Sequence, residues 1–266
     1  MKRVVLITGI SSGFGKEISH LLAEKGHVVY GTLRSECKVA PGIKTLNVEL
    51  ADPETITNAV DTVIKNEGRI DVLINNAGMH TGGPIEDTPM EMFEAQMKVN
   101  YFGWVRLIKA VLPHMRAQKS GTIINISSIG GITSLPFQGV YAASKFAIEG
   151  LSTALRMELK PFNIKVVVVN PGDFKTRNTE TRKISLSENS PYQAQFEKTL
   201  GIIEKDETGG ADPARLAWRI SKIIEAEIPS QRYLVGALMQ KLAVVVKRIT
   251  PERFFNSLLA NHYGIK

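Results

Sequence analysis

The chain has 266 residues, with 33 Lys and Arg against 26 Asp and Glu, and a formal charge of +7. Its 43% apolar and 22% charged residues are those of a folded globular chain and exclude a disordered or collagen-like one. A single cysteine, Cys37, excludes an intrachain disulfide framework and an all-cysteine zinc site.

No apolar run approaches the roughly 18 residues a membrane span needs. Lys2 and Arg3 precede Val4-Val5-Leu6-Ile7. That run is too short for a secretion signal and glycines follow it, so it reads as a buried strand of a cytoplasmic protein. Further apolar runs lie at 28–30, 44–48, 72–74, 122–126, 165–169 and 233–235. Several are rich in Val and Ile and apolar on both faces, as in a parallel sheet covered by helices on both sides. Segments of helical period alternate with them. Four helix starts are marked by a capping residue and a proline: Asp52-Pro53, Thr88-Pro89, Asp212-Pro213 and Thr250-Pro251. A side-chain oxygen there can accept an orphan N–H, and proline loses nothing at the first helical position. Thr88 with Glu91 also fits a capping box. The alternation predicts one α/β domain over 1–266, a Rossmann-type doubly wound sheet with helices on both faces. Residues 173–211 carry the weakest pattern and read as a substrate loop or lid. Residues 237–266 read as a helical C-terminal extension.

The first strand runs into Thr8-Gly9-Ile10-Ser11-Ser12-Gly13-Phe14-Gly15, followed by Ile18, Leu21 and Leu22 at helical spacing. Glycines in such a turn let backbone N–H groups approach a pyrophosphate, and the next helix offers its positive end. The spacing is G-x-x-x-G-x-G, and no Gly-Lys-Ser/Thr closes it as a Walker loop would. The second strand ends in Thr32, Leu33 and Arg34, where an NAD site usually carries an acid for the ribose 2′-hydroxyl. An arginine fork suits a 2′-phosphate. This favours NADP(H), with NAD(H) the alternative, and it makes the basic charge a match for an anionic nucleotide rather than for nucleic acid.

Tyr141 and Lys145 stand four apart in Tyr141-Ala142-Ala143-Ser144-Lys145. On a helix they share a face. An ammonium beside a phenol favours the phenolate and is expected to lower its pKa. The pair can then exchange a proton with an alcohol or a carbonyl. Ser128, at the end of a strand, is placed to donate to the substrate oxygen. No G-x-S-x-G elbow supports a nucleophilic serine. His20, His27, His80, His114 and His262 show no metal spacing and receive no role.

In the order and spacing of these motifs, the chain resembles the short-chain dehydrogenase/reductases in their single-domain branch. The motifs are residues 8–15, Asn75-Asn76-Ala77-Gly78, Asn100, Ser128, Tyr141 with Lys145, and Pro171-Gly172 with Thr176. The resemblance implies seven parallel strands in the order 3-2-1-4-5-6-7. It implies Tyr141 as general acid/base, Lys145 lowering its pKa and holding the nicotinamide ribose, and Ser128 orienting the reacting oxygen. Asn100 would anchor a water in a proton relay. Gly9, Ser11, Ser12, Gly13, Phe14 and Gly15 would line the pyrophosphate site. Asn76, Ala77 and Gly78 would pass under the adenosine ribose, and Pro171, Gly172 and Thr176 would flank the nicotinamide. Glu49 and Leu50 stand where the family often has an Asp contacting adenine. Ser12 stands where NADP-preferring members often place a base. A homodimer or homotetramer through the helices of Asn100 and Tyr141 is implied.

The implied reaction interconverts an alcohol and a carbonyl on an apolar or amphipathic small molecule. Lys175, Arg177, Arg182 and Lys183 could instead greet an anionic group. Two alternatives stand beside this: a carrier-bound 3-oxoacyl thioester reductase, and an inactive nucleotide-sensing protein. In the tail, Leu238, Leu242, Val245 and Ile249 form one helical stripe among Lys241, Lys247 and Arg248. Packing over the cleft or against a subunit is the preferred reading of it, ahead of peripheral membrane contact.

Overall fold

Val4 to Thr8 form strand β1 (Val4–Thr8), buried along its whole length. Successive side chains alternate between two cores. Val5 and Ile7 enter one with α1 (Gly13–Glu24) and α8 (Pro213–Glu225), while Leu6 enters the other with α2 (Pro53–Glu67), α4 (Trp104–Gln118) and α5 (Gly139–Leu159). A strand apolar on both faces is stable only between two such layers. The same logic places β2 (Val28–Leu33), β3 (Ile43–Asn47), β4 (Val72–Asn75), β6 (Gly121–Ile126), β7 (Ile164–Pro171) and β9 (Arg232–Val235) beside it. Between these, β5 (Thr81–Gly82) pairs with β8 (Lys183–Ile184) as a separate two-stranded ribbon. The computed structural model describes residues 1–176 and 178–265, without the Asn178 side chain.

All pairings in the main sheet are parallel. Its order is β3-β2-β1-β4-β6-β7-β9, which is the expected 3-2-1-4-5-6-7 once the short ribbon is set aside. Leu6 lies between Tyr30 and Leu73 in register. The order reverses beside β1, so a crevice opens at the carboxyl ends of β1 and β4, where doubly wound sheets bind ligands.

Two of the four expected caps form. Asp52 accepts from Glu54 N at 3.0 Å and Asp212 from Ala214 N at 2.8 Å. The other two do not. The Thr88 hydroxyl donates to Pro84 O, leaving Pro89 to begin α3 (Met90–Met97) without a side-chain cap or a capping box. The Thr250 hydroxyl donates to Val246 O and so closes α9 (Leu238–Ile249), and Pro251 begins α10 (Glu252–His262). A threonine hydroxyl that finds a carbonyl in the preceding turn is lost to the following helix.

The stretch 173–211 is more ordered than its composition suggests. It holds α6 (Asn178–Thr181), β8 and the sixteen-residue α7 (Gln193–Thr208). Between α3 and α4 the helix widens into a π-helical segment, Lys98–Gly103, that carries Asn100. Such segments are rare and often mark functional positions. Gly103 ends it against Leu50. A Cβ there would lie 2.7 Å from Leu50 Cβ and 2.9 Å from the Leu50 carbonyl oxygen. Gly103→Ala is therefore expected to lower stability by about 1–3 kcal/mol through overpacking, read as a lower urea midpoint. An unchanged midpoint would show that the segment yields freely.

Candidate active site

After β6 the chain turns through Ser127 and Ser128 into a 3-10 turn, Ile129–Gly131, which Ser128 caps by accepting from Gly130 N at 2.9 Å. Helix α5 follows, with Tyr141 in its first turn and Lys145 one turn on. The Lys145 ammonium donates to Ile126 O at 2.9 Å and lies 4.7 Å from the Trp104 ring centroid and 5.6 Å from that of Tyr141. Lys145 is buried. Desolvation brings it down to about 7, against the opposing pull of Glu149. Burial drives Tyr141 the other way, up to about 12, although a hydrogen bond with Ser128 favours the phenolate. The expected lowering of Tyr141 is thus reversed in the free protein. Desolvation disfavours the charged form of each, raising the phenol and lowering the ammonium.

Asn100 is a clasp. Its Oδ1 accepts from Met79 N at 2.8 Å, and its Nδ2 donates to Met79 O at 2.9 Å and to Ser144 Oγ at 3.2 Å. It ties the segment after β4 to α5, beside Tyr141 and Lys145. Below Ser128 lies a network that sequence reasoning did not find. Asn170 Nδ2 donates to Ser128 O at 2.8 Å and to Glu149 Oε1 at 2.6 Å, and Glu149 pairs with Arg232 at 2.7 Å. Glu149, one turn beyond Lys145 on the buried face of α5, was the available signal.

His80, given no role from sequence, stacks on Tyr141 with ring centroids 4.0 Å apart. Lys183 N donates to His80 O at 2.8 Å, which ties the ribbon of β5 and β8 to the site. Next to it, Arg182 is buried and ion-paired with Glu207. Among the described residues, its Nε and Nη1 have no hydrogen-bond partner. Both charges act on the Tyr141 phenol. Of the other cationic candidates, Lys175 and Lys183 are exposed, and Arg177 lies outside the described residues.

The turn after β1 is built for an anion. Gly9 and Gly13 hold φ of +72° and +54°. A Cβ on Gly15 would sit 2.0 Å from Gly9 O. Asn76 Nδ2 donates to the Thr8 and Gly9 carbonyls at 2.8 and 3.1 Å, and Thr8 Oγ1 accepts from Asn76 N and Ala77 N. Gly78 passes close to Asn100 Oδ1. The first turn of α1 has no side-chain cap at Ser12, which leaves its N–H groups to a ligand. Ser11, Ser12, Gly13, Lys16, Lys175 and Thr176 border an open cleft of roughly 660 Å³. These residues fit a dinucleotide phosphate.

The remaining candidates divide. Arg34 is exposed just past the carboxyl end of β2. The Glu49 carboxylate accepts from Ala51 N at 3.3 Å, inside its own turn. Leu50 is core, against Gly103. Phe14 meets Phe174 edge to face with centroids 5.0 Å apart. Pro171 ends β7, and Gly172 N donates to Val235 O at 2.8 Å. Over Gly172, Gln240 Oε1 of α9 fills the place a Cβ would take.

Comparison with known proteins agrees with this geometry. The family model for short chain dehydrogenase matches residues 3–186. A 3-ketodihydrosphingosine reductase of Bacteroides thetaiotaomicron is 45% identical, covering 99% of each chain. The crystal structure of a short-chain dehydrogenase from Streptomyces avermitilis is 31% identical and superposes with a TM-score of 0.84, over 96% of this chain and 95% of that one. ElxO with NADP bound is 25% identical, with a TM-score of 0.73, over 88% of this chain and 97% of its own. A parallel sheet in the order 3-2-1-4-5-6-7, a glycine cradle at its reversal and a Ser128, Tyr141 and Lys145 cluster at the next strand end place this chain in the short-chain dehydrogenase/reductase family of oxidoreductases.

Proposed function

We propose that the chain is an NADPH-dependent ketone reductase acting on a long-chain amphipathic lipid of the 3-ketodihydrosphingosine type. The observation that carries this reading is the 45% identity over 99% of both chains to the Bacteroides reductase. The NADP bound by ElxO and the arginine at the end of β2 support the nucleotide.

Gly9, Ser11, Ser12, Gly13, Phe14 and Gly15 would hold the pyrophosphate, and Arg34 the 2′-phosphate. Asn76, Ala77 and Gly78 would hold the adenosine ribose, with Glu49 and Leu50 toward adenine. Pro171, Gly172 and Thr176 would hold the nicotinamide, and Lys145 its ribose. When bound, NADPH supplies the hydride that reaches the carbonyl carbon. Ser128 donates a hydrogen bond to the carbonyl oxygen and fixes its direction. Tyr141 donates the proton that oxygen takes up. A phenol at about 12 stays protonated at neutral pH, which suits it to reduction, and an alkoxide is a far stronger base than its phenolate. The Lys145 ammonium stabilises the phenolate left behind. Asn100 and His80 hold the phenol in place by fixing Met79 and by stacking.

A 3-ketosphingoid base carries a hydroxyl and an amino group beside the ketone, and a long alkyl chain. Three buried N–H donors of Arg182, one on Nε and two on Nη1, lack a partner among the described residues and match a substrate oxygen, since a donor buried without an acceptor costs about 1–3 kcal/mol. Phe102 and Met157, exposed on the segments that carry Asn100 and Tyr141, support pairing of subunits there.

Four outcomes test this. Tyr141→Phe should abolish turnover while NADPH binding survives. The wild-type reduction rate should fall as pH rises through about 7, where Lys145 loses its charge, and Lys145→Met should be slow with that limb gone. A normal rate in Tyr141→Phe would remove the mechanism. By fluorescence titration, Arg34→Ala should weaken NADPH about 10- to 100-fold, the worth of a charge-assisted hydrogen bond, and leave NADH unchanged. Equal loss for both would free Arg34 of the phosphate. Finally, 3-ketodihydrosphingosine should be reduced faster than a plain long-chain ketone or an acetoacetyl thioester, and Arg182→Gln should collapse that preference. Faster turnover of the thioester would favour the carrier-bound reading.

A further inference from the structure

The sequence stripe of the tail turns outward rather than inward. Helix α9 faces the body with Gln240, Val244 and Lys247. Gln240 Nε2 donates to the Asp173 carboxylate, Val244 is buried, and Lys247 Nζ donates to Ile132 O. One anchor lies just past the end of β7, and the other just past the Ser128 turn. The helix therefore bridges both sides of the reaction site. Leu238, Met239, Leu242, Val245 and Ile249 cover its opposite face and are 45% to 75% exposed. On α10, Phe255 is buried, while Phe254 and Leu258 extend the same apolar character at the surface. The expected packing of Leu238, Leu242, Val245 and Ile249 over the cleft does not occur, because the three inward residues already make that contact.

We infer that α9 and α10 are a docking surface for an anionic lipid bilayer, and that they set the mouth of the active site against it. Lys247 is engaged with Ile132 O, and between residues 238 and 262 Lys241, Arg248 and Arg253 still outnumber one acid, Glu252. An apolar face rimmed by cations suits the headgroup boundary of a bilayer with anionic lipid. A second copy of the chain suits it less. A twofold contact would set the cations of one copy against the same cations of the other. At twelve residues, α9 is about 18 Å long, and among the described residues no helix is long and apolar enough to cross a membrane. The pair would lie in the interface. The purpose of this docking rests on the lipid-ketone reading: a substrate with a long alkyl chain could pass from the bilayer into the site beneath α9 without crossing water.

The docking itself is tested without turnover. The full chain is sedimented with phosphatidylcholine vesicles, with and without phosphatidylglycerol. Binding should be at least about tenfold tighter to the anionic vesicles and should weaken as salt rises. The double variant Leu242→Glu, Val245→Glu should lose that binding, and its turnover of a short-chain soluble ketone should stay within about twofold of wild type. Should the double variant not fold, Arg248→Glu alone should reduce the anionic preference. The proposal is overturned if the wild type stays in solution with both vesicles, or if the double variant binds as well as wild type. It is also overturned if light scattering shows an oligomer that the double variant splits, since the face is then covered by a second copy. If the wild type binds anionic vesicles but reduces no ketone, the docking stands and the substrate reading falls.

Discussion

The arrangement of the site depends on one buried hydrogen bond, from the Lys145 ammonium to the Ile126 carbonyl. It joins the last residue of a central strand to the helix that carries the phenol, next to the Trp104 ring. Removing a cation from water is unfavourable, and the price appears as a lysine held down at about 7. The unfolded chain keeps its proton up to 10.5. Between those two values the unfolded state binds more protons, so this residue makes the fold more stable as pH rises and less stable as pH falls. A protein that retains such a group gives up stability to keep a charge that can be switched beside the Tyr141 ring.

Much of the fold was legible because a parallel sheet covered on both sides demands continuous Val and Ile runs. Those of β1, β4, β6 and β7 could hardly form anything else. Tyr141, Lys145 and Ser128 were legible because their spacing is local. What escaped detection is long-range. Arg182 meets Glu207, and Asn170 meets Glu149, only once helices α7 and α5 pack back on chain 25 and 21 residues away. The threonine caps at Thr88 and Thr250 failed for a local reason, since each hydroxyl had a carbonyl within reach in the turn before. The tail failed differently. A stripe at helical spacing reveals that α9 has an apolar side, but not which side the body takes. Gln240 and Lys247 took it by hydrogen-bonding into the site.

On the proposed function, the ribbon of β5 and β8 would join chemistry to specificity. It begins one residue after His80, which stacks on the phenol, and one residue after Arg182, which faces Glu207. A substrate oxygen taken up by Arg182 would press on the same ribbon that positions Tyr141. On the proposed function, recognition of a head group and alignment of the proton donor would be parts of one mechanical unit, shared by the segment after β4 and the segment between β7 and α8.

The π-helical segment that carries Asn100 has a consequence for how this chain tolerates insertions and deletions. An i→i+5 turn holds one residue more than an i→i+4 turn. The extra residue is absorbed within Lys98–Gly103, so Trp104, Leu107 and Val111 downstream still face the sheet. Removing one residue from the segment would let it close to an ordinary helix. The hydrophobic stripe of α4 and the clasp of Asn100 on Met79 could then not both keep their places. The widened turn acts as a phase adjuster between two registers, one set by the core and one by the site. Length is constrained there alongside the identities of Asn100 and Gly103, in a part of the chain that looks, as sequence, like the middle of an unremarkable helix.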